Sequence, residues 1–195
     1  MALARVAVKR CHVHVTQVLI AAASRHGSTF DIADEIARVL ARRGCVVVDK
    51  AADEVDSIDR YDAVIVGSAV YMGHWLPEAL SFVTRCAAEL AARPVWLFSS
   101  GPIGNPPQPE TDPQGVAEMV QRIGARGHCV FAGRLDPDRL GLGEKVIVGM
   151  LRAPRGDFRD FAAVTAWASD IADALNPTID SADAMRQALL TAASH

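Results

Sequence analysis

Short, almost wholly apolar runs alternate along the chain with longer segments whose apolar positions recur at helical spacing. The first run, Gln17 to Ala23, has the continuous apolar character of a strand buried on both faces of a parallel sheet. From Ser28 to Arg43 the spacing of Ile32, Ile36, Val39 and Leu40 predicts a helix. Its acids (Asp31, Asp34, Glu35) come early and its bases (Arg42, Arg43) late, which suits the helix dipole, and Gly44 ends it. The pattern then repeats. Cys45 to Val48 reads as a strand, Ala51 to Arg60 as a short helix or loop, and Ala63 to Gly67 as a third strand. Pro77 to Ala92 reads as a helix with proline in its first turn and Leu80, Val83, Ala87 and Leu90 on its apolar face. Val95 to Phe98 makes a fourth strand, Gly101 to Pro113 a proline-rich loop, Val116 to Ile123 a helix, Cys129 to Ala132 a fifth strand and Phe158 to Leu175 the last clear helix.

Strands and helices that alternate throughout imply an α/β fold, with parallel strands joined by right-handed crossovers and a sheet covered on both faces. In such sheets ligands bind beyond the carboxyl ends of the strands where the strand order reverses, which directs attention to the loops after the first, third and fourth strands. The 195 residues suffice for one domain with a modest extension. We place that domain at 16–175, with an N-terminal extension over 1–15 and a C-terminal tail over 176–195 that carries Ala182, Met185 and Leu189 at helical spacing. With 50% hydrophobic and 22% charged residues the chain can fill a core. A net charge of −3 leaves no surplus of Lys and Arg to neutralise phosphates, so nucleic acid is not an expected partner. The longest apolar runs, Val18 to Ala23 and Ala63 to Val70, fall short of the ~20 residues that span a bilayer, and no convincing leader is seen, so a cytoplasmic protein is expected. Cys11, Cys45, Cys86 and Cys129 form no close pair, which suggests neither a disulfide framework nor a CxxC motif.

The loop after the first strand is Ser24-Arg25-His26-Gly27-Ser28-Thr29. Hydroxyls and a glycine at a helix N-terminus offer a phosphate backbone N–H groups, side-chain donors and close approach. The same residue types also serve as ordinary N-caps. Neither the GxGxxG of dinucleotide folds nor a GxxxxGK(S/T) loop is present. The second loop runs from Gly67 to Trp75 and the third from Ser99 to Gly104. Their glycines permit a planar ligand to come close, and Tyr71 and Trp75 either offer it a ring face or cover the sheet edge.

Together the three loops resemble those of the flavodoxin-like family, whose first loop has the form Ser/Thr-x-x-Gly-x-Ser/Thr, matched by Ser24, Gly27 and Thr29 with Ser28 beside them. The resemblance implies a three-layer sandwich with a five-stranded parallel sheet in the order 2-1-3-4-5 and non-covalently bound FMN. Ser24, Arg25, His26, Gly27, Ser28 and Thr29 would then cradle the phosphate. Ser68, Ala69, Val70, Tyr71, Met72 and Gly73 on one side and Ser99, Ser100, Gly101 and Pro102 on the other would flank the isoalloxazine, with Tyr71 at the frequent ring-stacking position.

A closer resemblance, from about Val18 to Leu175, is to the menaquinone-dependent protoporphyrinogen IX dehydrogenase branch of that family. It is carried by the second loop, by Phe131-Ala132-Gly133-Arg134-Leu135, and by Asp157-Phe158-Arg159-Asp160 and Thr165-Ala166-Trp167 at the final helix. His26 stands where that branch usually has Asp, and Tyr71-Met72 replaces a basic-aromatic pair. The resemblance implies an FMN-dependent oxidoreductase of heme biosynthesis that passes electrons from a small organic donor, protoporphyrinogen in that branch, to a quinone. The alternative is a flavodoxin-type electron-transfer protein that docks redox partner proteins. Such carriers are typically strongly acidic, which a chain at −3 is not. A third class is a flavodoxin-like binding module without FMN.

The stretch from Asp136 to Gly156 sets Val146, Ile147, Val148, Met150 and Leu151 between Lys145 and the pair Arg152, Arg155. It fits either peripheral contact with a membrane surface, where a quinone dissolves, or a helix packed on its own domain. His12 and His14 would share one face of a strand, but with no further ligand at fixed spacing no metal site is expected. His26 and His74 fall in the flavin loops, where an imidazole can donate to phosphate or flavin or simply be exposed. No Ser-His-Asp or Cys-His set is legible, so no catalytic side chain is assigned. The first strand ends in Ala21-Ala22-Ala23 instead of the acids of a phosphoryl-accepting receiver domain. The oligomeric state is open, a homodimer being one option.

Overall fold

The computed structural model describes residues 15–101, 112–135 and 156–176. The apolar run Gln17–Ala23 forms β1, buried from Val18 onward because a strand inside a doubly covered sheet has no solvent face. It pairs in parallel with β2 (Val46–Ala51) on one side and β3 (Ala63–Tyr71) on the other. A two-residue β4 (His74–Trp75) folds back antiparallel on β3. β3 pairs in parallel with β5 (Val95–Ser100), and β5 with β6 (Gly127–Phe131). The parallel strands lie in the order β2-β1-β3-β5-β6. That is the flavodoxin-like order expected from the sequence, with β4 as an additional short strand. β7 (Arg134–Leu135) and β8 (Gly156–Asp157) form a separate antiparallel ribbon.

Helix α1 (Ser28–Arg42) covers one face of the sheet. α2 (Pro77–Arg85), α3 (Ala87–Ala91) and α4 (Val116–Ile123) cover the other, and α5 (Phe161–Leu175) returns to the first. The period of two along each strand sorts the core. Leu19, Val64, Val66 and Leu97 pack under α2 to α4, while Val18, Ile20, Ile65, Trp96 and Phe98 pack under α1 and α5. Phe98 lies across β3 at Gly67, where a Cβ would sit 2.0 Å from a ring carbon, so only glycine fits beneath it.

The strands run further than their apolar runs suggest. Ser68 to Tyr71 and Ser99 to Ser100, expected in loops, continue β3 and β5 through the paired positions Ser68↔Ser99 and Ala69↔Ser100. Hydroxyls imitate a loop here because local bonds satisfy them: Ser68 Oγ donates to the Ala69 carbonyl at 2.8 Å and accepts from the Leu76 N–H at 2.9 Å. The helix expected over Pro77 to Ala92 is two, since Cys86 leaves helical geometry at φ −100°, ψ 19°. The final helix starts at Phe161, where Asp160 caps it by accepting from the Ala162 and Ala163 N–H groups at 2.9 and 3.1 Å. Residues 1–14 of the expected extension with His12 and His14, Pro102, the 136–155 part of the inserted stretch and the tail beyond 176 lie outside the described residues.

Candidate functional site

β1 ends and α1 begins where the strand order reverses. Between them Gly27, at φ 86°, takes the left-handed conformation that glycine adopts without strain. This turn brings the backbone N–H groups of Gly27 and Thr29 onto Ser24 Oγ, at 3.1 and 3.3 Å. N–H groups that converge on one point at a helix N-terminus make an anion nest, with the positive end of the helix dipole behind it. Ser24 Oγ thus takes two backbone N–H groups at the helix start, although the N-cap position itself is Gly27 and has no side-chain cap. Thr29 differs: the residue is 0% exposed and its Oγ1 has no hydrogen-bond partner. Burying a hydroxyl unpaired costs about 1–3 kcal/mol. A phosphate monoester, such as that of FMN, is the kind of acceptor that would satisfy it, and the donors present fit that group.

The second segment is a hairpin rather than an open loop. Met72 and Gly73 turn it with φ of 50° and 80°, the paired positive values that match the twist of the flanking strands. Met72 at the tip is 93% exposed. Tyr71, just below it, meets the first loop: the Arg25 guanidinium lies 4.8 Å from its ring centroid and the His26 ring 6.3 Å away. The Gly73 carbonyl accepts from the Gln114 N–H at 2.8 Å, which ties the tip to the approach of α4. The structure thus brings Arg25, His26 and Tyr71 together.

The third segment touches the second through glycine. A Cβ on Gly101 would stand 3.0 Å from the Val70 Cβ, and the Gly101 N–H donates to the Phe131 carbonyl at 3.3 Å. Ser100 is buried, and Ser99 turns under α4's side of the sheet. There Ser99 Oγ accepts from Trp75 Nε1 at 2.7 Å and lies 2.8 Å from His128 Nε2. His128 Nδ1 in turn is 3.6 Å from Asp112 Oδ1. Sequence reading missed this set because only the sheet register, with β5 between β3 and β6, joins its members. The residue types are those of an acyl-transfer triad, but Ser99 Oγ is buried and already engaged by both Trp75 and His128, so it is a structural hydroxyl rather than a free nucleophile. Burial holds the His128 imidazole below its ordinary 6.5, with Asp112 offsetting part of the effect.

A charged cluster braces the start of α1 beside the Ser24–Thr29 loop. The Arg134 N–H donates to Ser28 Oγ at 3.2 Å, and Arg134 Nη1 is 3.5 Å from Asp31 in the first turn of α1. Arg159, whose side chain is only 6% exposed, binds the same Asp31 at 2.6 Å and Asp157 through Nε at 2.7 Å. Its hydrogen bonds hold the Asp157 carboxyl below the usual carboxylate range. Among the described residues no group of three His, Cys, Asp or Glu side chains could hold a metal ion, and no helix is long and apolar enough to cross a membrane.

A doubly wound sheet with backbone N–H groups gathered at its switch point and an aromatic hairpin beside it is an α/β arrangement in which ligands bind beyond the carboxyl ends of the strands. The family model described as "Flavodoxin domain" matches residues 19–161, and the chain belongs to that family. No curated protein matches it. Among solved structures it resembles a flavodoxin from the domain Archaea, at 15% identity and TM-score 0.59 over 83% of this chain and 99% of that one. It also resembles a cysteine-to-serine variant of the flavodoxin from Pseudomonas aeruginosa, at 14% identity and TM-score 0.54, again over 83% and 99%. The rubredoxin:oxygen oxidoreductase of Desulfovibrio gigas matches at 17% identity and TM-score 0.59 over 84% of this chain, which spans 37% of that longer protein. Identities this low show the fold alone.

Proposed function

We propose that the protein is an FMN-dependent oxidoreductase that takes electrons from a small organic donor and delivers them to a quinone. Thr29 is the observation that carries the cofactor: a fully buried hydroxyl without a partner, beside N–H groups gathered at the start of α1. The loop from Ser24 to Thr29 would hold the phosphate. Tyr71, and Val70 packed on Gly101, would border the ring. FMN, when bound, supplies reversible two-electron chemistry, and the chain's part is to bind it, orient it and exclude water. No side chain is obliged to act as acid or base. The quinone and the porphyrinogen-type donor are supported by the motif resemblance at Gly67 to Trp75, Phe131 to Leu135 and Asp157 to Asp160. Peripheral contact with the membrane that dissolves the quinone belongs to the same proposal.

The test is reconstitution with FMN, followed by anaerobic reduction and mixing with a menaquinone analogue. A protein-bound flavin spectrum and rapid reoxidation by the quinone are expected, and protoporphyrinogen is then the first donor to try. Bound flavin that ignores the quinone but exchanges electrons with a redox protein would assign the carrier instead. Failure to bind FMN would overturn both.

A further inference from the structure

The hydrogen bonds around Ser99 have a fixed direction. An indole N–H only donates, so Ser99 Oγ is the acceptor for Trp75, and the serine proton goes to its other polar neighbour, His128 Nε2. That nitrogen must then be bare, which puts the ring proton on Nδ1, facing Asp112 across 3.6 Å. A protonated ring would carry hydrogen on both nitrogens. Trp75 and His128 would then both donate to Ser99 Oγ, and the displaced serine proton would need a new acceptor in a place with no solvent. The chain conducts no proton beyond Ser99, because the indole nitrogen has no lone pair in the plane to receive one. Its effect is on position. Trp75 is paired with Val70 in β4, two residues from the turn that presents Tyr71 and Met72.

We infer that His128 is a positioning residue for the β3–β4 hairpin: its neutral ring accepts from the Ser99 hydroxyl, whose oxygen anchors the Trp75 indole, and protonation of the ring makes that oxygen serve two donors and weakens the anchor. The inference rests on the flavin reading, since the hairpin borders the proposed ring site. Asp112 is the charged group within ion-pair distance of the imidazole among the described residues. From α4 it is faced by the uncharged Val116, Ala117, Val120 and Gln121, which line a pocket of about 300 Å³ with it. On its own strand approach, Arg126 is engaged with the Trp96 ring, at 5.3 Å from its centroid. Burial of the ring favours its neutral form, so the anchor is at full strength near pH 7 and weakens as the solution is acidified.

The experiment uses the full chain labelled with nitrogen-15, with the Trp75 indole resonance assigned by Trp75→Phe. In the apoprotein that resonance should shift along a single titration on the acid side of the ordinary imidazole range, because burial lowers the His128 value. In His128→Gln, whose side-chain oxygen still accepts from Ser99 but carries no charge, it should stay at its neutral position. The resonances of Trp96 and Trp167 report that the variant remains folded. In the presence of FMN, the dissociation constant should rise about tenfold more in the wild type than in His128→Gln over the same range, as expected when the competent fraction falls to a tenth. The comparison between proteins removes the titration of the flavin phosphate itself, which falls near pH 6. A Trp75 signal indifferent to pH, or one that moves alike in both proteins, overturns the inference while leaving the flavin reading intact. Equal FMN pH profiles in the two proteins overturn the positioning role. A Trp75 signal that titrates only in the wild type, with no FMN bound at any pH, sinks the flavin reading and supports the hydrogen-bond coupling.

Discussion

Thr29 sets stability against binding within a single side chain. Thr29→Val keeps the shape and removes the unpaired hydroxyl, so the apoprotein should gain about 1 kcal/mol while FMN affinity falls at least about tenfold. Thermal unfolding without ligand and quenching of flavin fluorescence measure the two effects. At Gly67 the outcome is one-sided: Gly67→Ala drives a methyl into the Phe98 ring and should cost about 3 kcal/mol, read from denaturant unfolding. These residues differ in how far the sequence exposes them. Ser24, Gly27 and Thr29 sit within one short loop, and their chemistry is legible because a nest needs hydroxyls and a glycine side by side. Trp75, Ser99 and His128 are separated by 24 and 29 positions, and no local signal announces that a buried serine will join them.

Turns and strand ends obey the same division between local and distant causes. The apolar runs located the strands of the sheet, yet β3 outran its run by four residues because ladder pairing with β5 and then β4 carried it through Ser68 and Tyr71. The turn that follows places methionine in the left-handed region, which costs an L-residue about 1–2 kcal/mol. Met72→Gly should therefore stabilise the hairpin by about 0.5 kcal/mol after the entropy of glycine is counted, measurable as slower amide exchange in β4. Between β2 and α1, Asp49 keeps an exposed edge, but desolvation and then the Asp34 carboxylate push its carboxyl up to about 6 from 3.8. A raised carboxyl favours the folded state below its unfolded value and loses that favour as pH rises through about 6. Asp49→Asn should match the wild type near pH 4 and become the more stable protein by pH 7, by less than about 1 kcal/mol because solvent screens an exposed pair. Chemical denaturation at the two pH values decides it.

Across the molecule, one buried guanidinium joins pieces far apart in the chain: Arg159, ahead of α5, grips Asp31 on α1 and Asp157 on β8. Arg159→Met should cost about 2 kcal/mol near pH 7, less than for a fully buried pair because both carboxylates keep solvent contact. The depressed Asp157 carboxyl contributes stability that is present above its unfolded value and disappears as pH falls through its folded one, so the deficit of the variant should shrink in acid. The doubly wound architecture itself was legible from alternating runs, since crossover handedness leaves few ways to cover such a sheet. The ribbon formed by β7 and β8 was not, because pairs this short carry no periodicity. That ribbon has a consequence for how such a domain takes a change in length. Leu135 and Gly156 are direct partners across it, so the stretch between them leaves and rejoins the scaffold at a single doorway. A hairpin turn of two residues would close the same gap, and lengthening the excursion adds only slowly to the entropy of closure. A change in the length of that stretch therefore leaves the ribbon's register and the two cores in place, as a longer fitting changes nothing in the socket that holds it.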